Sequence, residues 1–267
     1  MFYDYRMNYT VSITNQETTK AVASGADEVV LVYQNPYEEG DTITLKADHS
    51  GFVVCTMDGT LAPTLLYLDG TYILPIPCNE RRVCYDPNAF QGNIHYLTVR
   101  GALPAEKESY HNLALNPMDC HANKALFPHA YANVETRGEA SFEARNAIDG
   151  IKANHGHGHW PYSSWGINRD PKATLTIDFG RQVKISEVVV YTRADFPHDA
   201  WWVQADLNTD EGTTTIKLAK TDSAQRFKLE KPATTRTLTV SNLVKADDPS
   251  PFPALTQIEA WGTDMEG

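Results

Sequence analysis

The chain is made of short β-patterned runs, rich in Thr, Val, Ile and Tyr. Gly, Pro, Asn or Asp cuts each run off within about eight to twelve residues. In the first half the candidate strands are 9–14, 28–33, 42–47, 52–57, 64–68, 72–75 and 96–100. Asn35-Pro36, Glu39-Gly40-Asp41, Asp58-Gly59, Asp69-Gly70 and Asp86-Pro87 separate them as turns. Evidence for helix is scarce, so the punctuation predicts an all-β chain of the sandwich type.

At 267 residues the chain is long for one compact β domain and comfortable for two. A polar, Pro-bounded stretch over 105–112 reads as a linker, which divides the chain into a sandwich over 1–104 and a second over 113–267. All five Trp fall after that stretch. The formal charge of −11 excludes nucleic acid, which needs a basic footprint, and disfavours an anionic membrane surface. No apolar run approaches the roughly 20 residues that span a bilayer. The start, MFYDYRMNYT, lacks the basic and apolar parts of a secretory leader. The expectation is a cytoplasmic protein, or a secreted one whose leader has been removed. Cys55, Cys78, Cys84 and Cys120 match no zinc spacing and are expected to be reduced, although Cys78 and Cys84 flank a hairpin-sized gap.

The stretch 145–202 concentrates chemistry. It holds four of the nine His and four of the five Trp, in polar, Gly-broken segments that folding alone does not need. His155, His157 and His159 alternate with Gly, so an extended backbone would turn three imidazoles to one side. They suit a transition metal, contacts to sugar hydroxyls, or plain loop chemistry. Trp160 and Tyr162 offer an aromatic platform, while Trp165 belongs in the core. Arg193, Asp195, His198 and Trp201 surround one Pro. Aromatic faces with charged forks are what a pyranose ring needs, although an Arg193–Asp195 ion pair closing a loop would use the same residues. One of Trp201 and Trp202 should point inward, since neighbouring strand residues face opposite ways.

Four pieces stand in a meaningful order: NAIDG at 146–150, SSWG at 163–166, LTIDFG at 175–180 and QIEAWG at 257–262. Over about 113–264 the chain thereby resembles the discoidin or coagulation-factor C-type family, a galactose-binding-like jelly roll found in many bacterial carbohydrate-binding modules. The resemblance implies an eight-stranded antiparallel sandwich with ligands held by loops at one end, and a tight turn at FGRQ. It also implies a structural calcium ion, with carboxylates from Asp149 and Glu259 and backbone oxygens from Asn146 and Ile151. Asn154 stands where the family has a Thr ligand. The HGHGHWPY loop departs from the family in its His content.

The fold expectation is therefore two tandem β-sandwiches, the second a discoidin-like jelly roll. The function expectation is a lectin-like, non-catalytic carbohydrate binder using His155 to Tyr162 and Arg193 to Trp201, with calcium as a structural ion. Partners are carbohydrate, with no nucleic acid or membrane, and a homo-oligomer remains open. The alternatives are a glycan-active or metal-dependent hydrolase built on the His-rich loop, and a protein-interaction or assembly module.

Overall fold

A computed structural model describes residues 7–153, 159–194 and 200–265. The first half folds into β1 (Asn8–Asn15), β2 (Thr18–Ala26), β3 (Glu28–Tyr33), β4 (Asp41–Ala47), β5 (Gly51–Thr56), β6 (Thr64–Leu68), β7 (Thr71–Pro75) and β8 (His95–Gly101). They form two antiparallel sheets, β2-β1-β4-β7 and β6-β5-β8-β3. Strand alternation turns Tyr9, Val11 and Ile13 of β1 and Ile43 and Leu45 of β4 toward Val53, Leu66, Leu97 and Val99 of the other sheet. That is a sandwich with one apolar core. Cys55 lies within it, and all four thiols are free, Cys78 and Cys84 included.

The second half contains β9 (His111–Asn112), β10 (Leu126–Phe127), β11 (His129–Ala132), β12 (Trp165–Gly166), β13 (Leu175–Thr192), β14 (Trp202–Thr209), β15 (Gly212–Lys217), β16 (Gln225–Lys245) and β17 (Ala254–Asp264). The antiparallel order is β12-β17-β13-β16-β14-β15, with β11 on β13 and β9 on β17. β13 and β16 are long, and breaks in register let them bend around a core of Trp165, Ile177, Phe179, Val188, Trp202, Leu238 and Ile258. This is the all-β jelly roll that the motif order implied.

Three sequence expectations need correction. The FGRQ segment is no hairpin turn. Asp178 pairs with Thr237 and Val183 with Thr235, so the chain continues along β16 past an irregularity. The turn-like letters mark a corner inside one strand, where Gly180 takes a φ of +70° against the Phe127 ring.

Second, the stretch at 105–112 is not a free linker. The helical turn Pro104–Lys107 is held where Arg100 donates two hydrogen bonds to Glu106, at 2.8 and 2.6 Å. β9 then joins the sheet of the second half through Asn112 opposite Trp261.

Third, the chain after 113 does not stay with the second core. Met118, Ala125 and Leu126 pack into the first core, and β10 extends the first half's second sheet with Leu126 opposite Leu68. A boundary drawn from composition misses this because the crossing strand is two residues long.

Candidate functional site

At one end of the jelly roll, four segments enclose a cavity of about 170 Å³. They are the turn around Thr136 to Phe142, the chain from Gly166 to Arg169 after β12, Arg193 after β13, and Phe252 to Ala254 entering β17. Local sequence explains why they meet. Trp165 is fully buried and donates from Nε1 to the Val134 carbonyl at 3.0 Å, which anchors β12. Gly166 pairs with Ala254, so the segment after one strand lies beside the segment before the other. A Cβ at Gly166 would fall 2.5 Å from Thr136 Oγ1, so only glycine permits that approach. Thr136 Oγ1 accepts the Asn168 amide at 2.9 Å, and the Arg193 amide donates to the Ala254 carbonyl at 2.9 Å.

Asn168 and Arg169 both occupy the left-handed region, with φ of +47° and +64°. Asn tolerates that conformation; for Arg it costs on the order of 1–3 kcal/mol. The turn places the exposed Arg169 guanidinium 4.2 Å from the centre of the Phe252 ring. Arg137 lies 5.7 Å from the Phe142 ring centre, and its Nε donates to Glu139 at 2.5 Å. Arg193 is 3% exposed. The described residues lining this cavity include no Asp, Glu, His or Cys. Those described residues offer hydrogen-bond donors and aromatic rings.

The residues singled out in the sequence are not gathered into one cavity. Arg193 lines the cavity just described. His159 borders a wider opening with Glu80, Arg81 and Glu143, which shares Arg137 and Phe142 with it. Trp160 is turned elsewhere: its amide donates to the Val83 carbonyl at 2.7 Å, and it lines a third space beside Cys84, Tyr85 and Arg145. Tyr162 donates its amide to the His159 carbonyl at 2.5 Å and lines none of these three. Trp201 is half-buried with the Lys220 ammonium 5.0 Å from its ring, and its neighbour Trp202 fills the core. His155, His157, Asp195, His198 and the calcium-ligand candidate Asn154 lie outside the described residues. Sequence reasoning missed Arg169, Phe252, Arg137 and Phe142. The readable signal was an Asn-Arg pair one residue beyond SSWG and a Phe between two prolines before the last strand.

The Asn146 side chain, as distinct from the backbone oxygen expected as a ligand, is bound within the protein: its Nδ2 donates to the Ala140 carbonyl at 2.8 Å and its Oδ1 accepts from Arg145 at 3.0 Å. Ile151 donates its amide to Asp149 Oδ1 at 2.8 Å. Burial pushes the Asp149 carboxyl up to about 7, against the pull of Arg145. Glu259, 2% exposed, pairs through Oε1 with the Lys152 ammonium, and its Oε2 accepts the Trp261 indole N–H at 2.7 Å. Among the described residues no three His, Cys, Asp or Glu are placed to hold a metal. A hard cation wants six to eight oxygens with unmatched negative charge. In this arrangement an ammonium neutralises the Glu259 carboxylate, and burial raises the Asp149 carboxyl.

No protein-family model matches the chain, and no curated protein does. Solved structures to which it is similar include chitosan-binding module 1 of a chitosanase/glucanase from Paenibacillus sp. IK-5, at 18% identity and a TM-score of 0.38 over 57% of this chain and 99% of the module. A fucose binding module of Streptococcus pneumoniae shows 14% identity and a TM-score of 0.41 over 57% of this chain and 96% of its own. The family 32 CBM of C. perfringens NanJ, in complex with galactose, shows 14% identity and a TM-score of 0.38 over 49% and 91%.

Proposed function

We propose that the chain is a carbohydrate-binding protein without catalytic activity, and that the cavity between Arg169, Arg193 and Phe252 receives the sugar. One observation carries this reading: rings and multi-donor side chains converge on a small opening whose walls are fixed by strand pairing. Pockets for drug-sized ligands run to roughly 300–1,000 Å³. At about 170 Å³ this one has room for a single terminal residue of a glycan, not a chain laid along a groove. Hydroxyl recognition by fixed forks suits such a space. Small open sites of this kind give dissociation constants in the micromolar to millimolar range, about −4 to −8 kcal/mol.

A glycan array followed by calorimetric titration of the best sugar tests the proposal. Phe252→Ala and Arg169→Ala should each weaken retention about tenfold or more, as loss of a hydrogen bond to a charged group or of a ring contact implies. Their melting temperatures should stay within a degree or two of the parent, since Arg169 is exposed and Phe252 half-buried. Trp160→Ala should retain the sugar. Full retention by both Phe252→Ala and Arg169→Ala would remove the cavity from the reading.

A further inference from the structure

We infer that the segment from Asn116 to Ala130 is a pH-sensitive latch between the two cores, closed while its two histidines are protonated. The chain leaves the second core after Ala114, enters the first with Met118, Ala125 and Leu126, and returns at Ala130. β10 at its tip lies beside β6, and the Asp69 amide donates to the Ala125 carbonyl at 2.8 Å. Polar side chains gather the loop. Asn116 Nδ2 donates to the Leu126 and Pro128 carbonyls at 3.0 and 2.8 Å. Fully buried Asp119 accepts from Asn123 Nδ2 at 2.7 Å and from the Ala130 amide at 2.8 Å.

Both histidines of this segment rest on carboxylates. His121 ties it to two of them further along the chain: Nε2 lies 2.8 Å from Glu135 Oε2 and Nδ1 3.3 Å from Glu143 Oε1. A neutral imidazole has one N–H and serves one of these oxygens, whereas the imidazolium serves both. His129 Nδ1 lies 2.8 Å from Oδ1 of Asp119, whose side chain is closed to water. When His129 loses its proton, that buried carboxylate keeps its hydrogen bonds and loses opposing charge.

On balance the surrounding charges favour the protonated rings. Glu135, Glu143 and Asp119 act on His121; Asp119, Asp178 across the β11–β13 pair, and His121 act on His129. Arg81 and Arg145 face Glu143, and Arg145 also faces Asp119. The Glu135 hydrogen bond, against burial, raises His121 above the ordinary imidazole value of about 6.5. Burial lowers His129, and the Asp119 hydrogen bond and charge outweigh it. Burial also raises the Glu143 carboxyl, which keeps a proton within its trio as pH climbs. A group raised in the folded chain contributes its stability in full below its unfolded value, about 6.5 for an imidazole. That stability is lost as pH climbs through the folded value, so the latch loosens on the alkaline side.

Amide hydrogen exchange of the full chain at pH 5.5 and 8.5, corrected for the intrinsic pH dependence of exchange, tests the latch. The Asp69 amide should lose about tenfold or more of its protection at pH 8.5 relative to the amides of β4. With His121→Gln and His129→Gln together, its protection should be low at both pH values. Equal relative protection in the parent at the two values would overturn the latch. So would an equal loss in parent and variant, because another group, such as Asp149, would then set the response. Should the variant not fold, NMR titration of the parent's ring protons decides. Both imidazoles should titrate above about 6.5, and either one titrating at or below that value would overturn the proposal.

Discussion

Asp149 shows how far the interior has changed an ordinary residue. Its carboxyl is buried, and burial lifts it from the usual carboxylate range to about 7. A raised acid binds its proton more tightly in the folded chain than in the unfolded one. Between about pH 4, where the unfolded carboxyl ionises, and about 7, the unfolded state holds fewer protons, so stability falls as pH rises. Asp149→Asn keeps an oxygen for the Ile151 amide and removes the titration. Urea unfolding at pH 4.5 and 7.5 should show the parent losing on the order of 2–4 kcal/mol more than the variant across that interval. Equal losses in the two proteins would mean that Asp149 ionises normally. Lys152 and Glu259 lead to a second expectation at this scale. With an ammonium on the buried carboxylate, a chelator should leave the melting temperature unchanged, whereas Lys152→Met should lower stability by about 1–3 kcal/mol by leaving Glu259 without its cation. A chelator-induced drop in the parent would place a cation at the site instead.

At the level of elements, Gly180 holds the corner inside β13. Its φ is +70°, and an added Cβ would fall 2.4 Å from the Phe127 ring, so backbone strain and overpacking act together. Gly180→Ala should cost about 2–4 kcal/mol in urea unfolding, and a loss below half a kcal/mol would show that the corner relaxes freely. The same corner illustrates what the sequence could convey. LTIDFG signals a strand that ends in a tight glycine, but whether the chain reverses or runs on depends on β16, more than fifty residues away. β3 and β6 were legible residue for residue because each is a short, nearly continuous run of apolar, β-branched or aromatic residues with clear turn residues at its flanks. β2 was not: TTKAVASGA is an edge strand, largely open to solvent, whose only large apolar side chain, Val22, is 58% exposed. The site divides similarly. Arg193 stood out within a dense polar and aromatic segment. Arg169 and Phe252 did not, because isolated letters in loops gain meaning only when the pairing of Gly166 with Ala254 brings them together.

Across the whole molecule, the two cores share more than a connection. β10 completes a sheet of the first core and leads directly into β11 of the second. Arg181 reaches back from the second, ion-paired to Asp264, to lie 4.9 Å over Phe52 and 5.6 Å over Tyr67. Arg145 donates to the Asp119 and Pro117 carbonyls and to Cys84, beneath the Tyr85 ring. Contacts of this kind couple the units, so calorimetric unfolding should show one cooperative transition. Two separated transitions would mean that the cores melt independently. The measurement closest to the central claim is a backbone-amide NMR titration of the full chain with the best-binding glycoside. The expected result is saturable shifts concentrated at Gly166 to Arg169, Arg193 and Phe252 to Ala254, with Val83 and Trp160 unmoved. Saturable shifts centred on Val83, His159 and Trp160 instead, with the arginine cavity silent, would contradict it.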